Sequence, residues 1–143
     1  MAMPSVQKGT SRAVFLTSTI AFKFALHQHG AKCNLFEAKL YRDADARRKA
    51  MLCPVVWCSP NGAVLIARRA APLTEAQWQK LLSTDGFPDW DYNPADGMGG
   101  NPFEHHKACD WGLIDGRLVA VDFSATVLSD EDELLMAQRL ADM

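Results

Sequence analysis

Two dipeptides constrain this chain more than any other feature: Asn61-Gly62 and Asp115-Gly116, each set between short apolar runs. Both suit the backbone of a tight hairpin turn, so the runs they join predict antiparallel strand pairs. The first joins Cys53 to Trp57 with Ala63 to Ala67. The second divides Gly112 to Phe123, where Leu118 to Val121 is a nearly continuous apolar run. A third hairpin is expected within Arg12 to Ala25, a stretch rich in β-formers and broken at Thr17, Ser18 and Thr19. The first twelve residues read as a polar lead-in.

Helical signals fall between these hairpins. From Cys33 to Ala50 the apolar residues Phe36, Leu40 and Ala44 recur every fourth position among charged neighbours, which predicts an amphipathic helix. Asn34 with Glu37 three residues on fits an N-cap and its reciprocal partner. Thr74 with Gln77 is a second capping box, followed by Trp78, Leu81 and Leu82 and closed by Gly86. Ser129 ahead of three acidic residues caps a last helix with Met136, Leu140 and Met143 on one face. Gly86 to Glu104 holds four of the nine glycines and three of the seven prolines, so a long irregular loop is expected there.

With 143 residues, 48% of them hydrophobic, the chain fits one domain spanning 1–143 with a packed core. A net charge of −2 supplies no basic field for nucleic acid, and Ala13 to Phe22 is too short to span a bilayer. Neither nucleic acid nor membrane is an expected partner, and a cytoplasmic setting with reduced thiols is expected. Cys33, Cys53, Cys58 and Cys109 form no CxxC, and neither Cys53 with Cys58 nor Cys109 with His105 and His106 has the spacing of a structural zinc site.

The order of elements places Lys23 within a strand, Glu37 in the following helix, and Asp122 at the end of the last hairpin. With Gly9 and Val14 in Gly-Thr-Ser-Arg-Ala-Val, Lys23 in Ala-Phe-Lys-Phe and Asp122 in Val-Asp-Phe-Ser, the chain resembles the protein-kinase-like family in a much reduced form. It is similar to small kinase-like proteins of phages and bacteria, and the resemblance runs from about Gly9 to Ala125. It implies an α+β mini-fold: an antiparallel N-terminal sheet with one packed helix, then a truncated C-terminal half.

The resemblance also implies roles. Gly9, Lys23 and Glu37 would contact nucleotide or orient the group that does, and Asp110 and Asp122 would be metal ligands, with ATP and magnesium as cofactors if the chain is active. One glycine of the family's three remains, with Gln7 and Arg12 at the other two places. The family's catalytic aspartate falls on His105, while Asp96 and Asn101 keep the aspartate-to-asparagine spacing at a greater distance from Asp122. Each residue also has an ordinary reading: Lys23 as an edge-strand lysine, Glu37 as the partner of Asn34, Asp122 as a turn residue, His105 and Asp96 as loop residues.

The damaged glycine loop and missing base imply a catalytically impaired protein that needs no cofactor and acts through a protein partner. A phage origin, with a host protein as the target of inhibition, follows from the same resemblance, and self-association is the other use of such a surface. Trp90 and Trp111 are the expected partner-binding aromatics, with Trp57 and Trp78 assigned to the core. The rival readings are an ATP- and magnesium-dependent phosphotransferase and, from another class, a hydrolase or zinc protein built on His105, His106 and Cys109.

Overall fold

In a computed structural model, described over residues 5–8, 11–96, 100–128 and 130–143, the chain is an α+β fold with two antiparallel sheets and four helices. Strands β1 (Ser5–Lys8), β2 (Arg12–Leu16) and β3 (Ile20–Ala25) come first, then α1 (Gln28–Asp43) and the short α2 (Ala46–Lys49). Strands β4 (Val55–Cys58) and β5 (Val64–Arg68) complete a five-stranded sheet of order β1-β2-β3-β5-β4. After β6 (Ala71–Pro72) and α3 (Glu75–Thr84), a long loop leads to β7 (Trp111–Ile114) and β8 (Arg117–Ala120), which with β6 form the second sheet. Helix α4 (Asp130–Ala141) follows.

All three expected hairpins are present. Thr17 closes the β2–β3 turn by accepting from the Ile20 N–H through its side chain at 3.0 Å. Asp115 and Gly116 adopt φ of 51° and 78°, the pair of positive values that a two-residue turn with the twist of its strands requires. Gly62 has φ 77° and lies where a Cβ would run into the Ala31 carbonyl of α1, so glycine there serves both the turn and the seating of the helix. The expected capping box also forms: Thr74 accepts from the Gln77 N–H at 3.1 Å, and Gln77 accepts from the Thr74 N–H at 2.8 Å.

Three expectations are corrected. The first residues are not all lead-in, because Ser5–Lys8 pair along β2 as a fifth strand. The helix begins five residues before Cys33 and breaks at Ala44, where α2 restarts with the Asp45 carboxylate accepting from the Arg48 N–H at 2.8 Å. Asn34 and Glu37 are therefore not a helix start. They lie mid-helix with Gly30 and Cys33, on the stripe of α1 that packs into the protein, and both are fully buried. The Ser129 cap expected for α4 lies outside the described residues, and Met136 and Leu140 of that helix are exposed.

The main core gathers Leu52, Trp78, Trp90, Phe103, Trp111 and Phe123 between α3, the long loop and the second sheet. Trp90 and Trp111, expected as exposed partner-binding residues, are 1% and 2% exposed and cannot be surface anchors. Trp57, assigned to the core, is half exposed. Pairing register explains it: Phe15, Phe22, Ile66 and Trp57 occupy one cross-strand row, on the face opposite Lys23, and α1 covers only the other face. Among the described residues no helix is long and apolar enough to cross a membrane.

Candidate functional site

Lys23 sits on β3, a central strand, and its alternation places it on the inner face with Val14 and Leu65. Residue 23 is 8% exposed, so the edge-strand reading is excluded. Its ammonium donates to Glu37 Oε1 at 2.9 Å and to the Val121 carbonyl at 2.6 Å. The other Glu37 oxygen accepts from the Phe123 N–H at 2.9 Å. One helix carboxylate thus ties together β3, α1 and the segment leaving β8.

A second cation, which sequence reasoning treated only as a lost glycine, completes the cluster. Arg12, at the start of β2, donates through both terminal nitrogens to Glu37, at 2.7 and 3.2 Å, and to Asn34 Oδ1 at 3.1 Å. The same guanidinium reaches Asp122 Oδ1 at 3.4 Å. Asn34 spends its amide donors on the Lys23 and Gly62 carbonyls, at 3.1 and 2.9 Å, which leaves its oxygen facing Arg12. Burial would raise the Glu37 carboxyl, but Lys23, Arg12 and the Phe123 N–H outweigh it and hold the group at about 2.

This cluster borders a cleft of about 830 Å³ between the five-stranded sheet and the second sheet. Val14, Ala21, Leu65 and Ala67 give it an apolar wall, while Lys23, Asp110 and Asp122 stand at its polar end. Asp110 is brought to Asp122 by the backbone, since its carbonyl accepts from the Val121 N–H at 2.8 Å. Burial and the neighbouring Asp122 charge push the Asp110 carboxyl up to about 6. Asp122 also keeps the ordinary turn role, accepting from the Ser124 hydroxyl at 3.2 Å.

The structure brings Lys23, Glu37, Asp110 and Asp122 together and leaves the two base candidates elsewhere. His105 stacks on Phe87 with 4.3 Å between ring centres and lines a separate, smaller pocket. Asp96 pairs with Arg48 at 3.2 Å, where α2 pins the long loop, and does not line the main cleft. Glu104 and Lys107, not singled out from sequence, do line it. Gly9 lies outside the described residues.

A divalent ion shared by Asp122 and Asp110 does not fit the observed arrangement, because Asp122 already faces the Arg12 guanidinium. Among the described residues no three His, Cys, Asp or Glu side chains are grouped to hold a metal. Comparison of the chain with protein-family models, curated proteins and solved structures gives no match.

Proposed function

We propose that the chain is a reduced, catalytically impaired kinase-like module that works by binding another protein. The observation that carries this reading is the contrast between the two faces of the five-stranded sheet. On the inner face the lysine–glutamate pair is closed at 2.9 Å, but Arg12 takes up the acidic end of the cleft and neither of the base candidates His105 and Asp96 lines it. On the outer face Phe15, Phe24, Val56 and Trp57 are 39%, 41%, 58% and 51% exposed, and Phe22 bridges Phe15 and Phe24 at 6.2 and 6.3 Å. A contiguous aromatic patch of that kind suits a protein interface, since large rings anchor such contacts at low entropic cost.

The alternative is an ATP- and magnesium-dependent phosphotransferase using Lys23, Glu37, Asp110 and Asp122, favoured by Lys23, Asp110 and Asp122 lining one cleft with Glu37 paired behind Lys23. Two variants separate the readings. Asp122→Asn should leave partner recovery from the native host unchanged, whereas Trp57→Ser should reduce it by about tenfold or more, as for loss of an anchor. Sedimentation of the purified protein identifies self-association as the use of the patch. Magnesium-ATP should not raise the melting temperature. A ligand present at about a hundred times its dissociation constant would add about 2.7 kcal/mol, and a shift of that size would overturn the impaired reading in favour of the enzyme.

A further inference from the structure

We propose that Arg12 is a tethered counter-cation that fills the acidic end of the cleft and excludes divalent metal from Asp122. Glu37 and Asp122 carry two negative charges, Arg12 and Lys23 two positive ones, and three direct contacts link them: Arg12 to Glu37 at 2.7 Å, Lys23 to Glu37 at 2.9 Å, Arg12 to Asp122 at 3.4 Å. These four charges therefore balance one another, with Asp110 a further acidic group at the same end of the cleft. A divalent ion at Asp122, whose side chain is about half exposed, would set two further positive charges directly beside the buried Arg12 guanidinium, which the contact with Asp122 now neutralises.

Geometry favours the arginine over a lysine in this role. A planar fork can address both oxygens of Glu37 and still present one nitrogen to a second carboxylate, which a single ammonium point cannot do. Arg12 is 8% exposed and held at the end of a paired strand, so it is present at the site at high effective concentration, whereas free magnesium must arrive from solution. Asn34 completes the seat: with both its donors spent on backbone carbonyls, its oxygen serves the guanidinium. These contacts also make Arg12 a clamp between β2, α1 and the segment after β8.

The inference goes beyond the function proposed above and stands without it, because it assigns no nucleotide and no partner. Manganese, an oxygen-seeking divalent ion visible by electron paramagnetic resonance, is the probe. Wild-type protein should show only weak, non-saturable manganese binding. Arg12→Gln leaves Glu37, Asp122 and Lys23 with one net negative charge, and should create a single site about a hundredfold tighter than anything on the wild type. Adding Asp122→Asn to Arg12→Gln should abolish that site, and Arg12→Lys, which keeps the charge, should not form it.

Equal manganese affinity in wild type and Arg12→Gln overturns the proposal, and so does a folded Arg12→Gln that binds none. Should Arg12→Gln not fold, the wild type decides: a saturable site lost in Asp122→Asn overturns the proposal, and weak binding that Asp122→Asn leaves unchanged supports it. Failure of the protein-binding reading looks different, since it appears as stabilisation by nucleotide or as an intact partner complex in Trp57→Ser.

Discussion

The two halves of this molecule bury their interiors in opposite ways. Against the five-stranded sheet, α1 turns inward a stripe containing Asn34 and Glu37, and these meet Arg12 and Lys23, all four 8% exposed or less. Around the second sheet the interior is aromatic: Phe103 lies 5.1 Å from Trp111 and 5.9 Å from Trp90, ring centre to ring centre. Phe123 belongs to both regions, its N–H bound to Glu37 and its ring in the aromatic core. A polar interior selects one arrangement of partners, because any other leaves a charge unpaired, while its net stabilisation over an apolar interior is small. The aromatic interior supplies the stability and tolerates shape changes better than charge changes.

That contrast is broken most forcefully at its centre. Glu37→Ala strands Lys23 and Arg12 in a buried site, and the loss should lie at the upper end of the about 3–5 kcal/mol found when one member of a buried ion pair is removed. Urea denaturation measures it. Replacing Arg12, Lys23 and Glu37 together by Met, Met and Leu should cost much less than Glu37→Ala alone. If the triple change is the more damaging, charge pairing here is a source of stability and not chiefly of specificity.

The matching test on the aromatic side is Trp111→Ala, expected to cost about 3–4 kcal/mol through the cavity it opens and the lost hydrogen bond from its indole N–H to the Glu104 carbonyl. The two losses should respond differently to solution conditions. The cost of Trp111→Ala should hardly change between pH 3 and pH 8. The cost of Glu37→Ala should shrink in acid, because the wild type then loses its own ion pairs.

The same division decides what could be read from the sequence. Hairpins and the α3 cap were legible because Asp115-Gly116, Asn61-Gly62 and Thr74 with Gln77 carry their signals within four residues. The α+β class and the approach of Lys23 to Glu37 were expected from the kinase-like resemblance, and both are present. Asn34 and Glu37 misled because an Asn followed three residues later by Glu is locally identical to a cap. Its true role is set by Arg12, 25 residues from Glu37, and by Phe123, 86 residues away. Arg12 was invisible as a site residue for the same reason. Trp90, Trp111 and Trp57 were misassigned because a lone tryptophan records nothing of the surface it meets. Trp90 is fixed by α2, whose Arg48 guanidinium lies 4.6 Å from its ring centre.

Acid pH sharpens the comparison by titrating one region and sparing the other. Glu37 is held at about 2, below its ordinary 4.5, so its contribution is fully present above about pH 4.5 and is lost as pH falls through about 2. About 3 kcal/mol should disappear across that window at 25 °C, followed by urea midpoints at successive pH values. In Glu37→Ala that slope should be absent, and a slope of the same size in the variant would mean another carboxylate carries it.

Asp110 works with the opposite sign and is the smallest effect expected. Burial and Asp122 raise its carboxyl from 3.8 to about 6, so the folded protein holds that proton more tightly than the unfolded chain does. The contribution is fully present below about pH 3.8 and is lost as pH rises through about 6, which leaves a folded protein at neutral pH with a half-buried carboxylate beside another. Asp110→Asn keeps the shape and removes the charge. It should therefore stabilise the protein at pH 7.5 by about 1 kcal/mol, a figure already reduced for solvent screening of a half-buried group, and change little at pH 4. A loss of stability at pH 7.5 would place a cation of the protein on Asp110, and the acidic end of the cleft would then be neutralised at two points instead of by Arg12 alone.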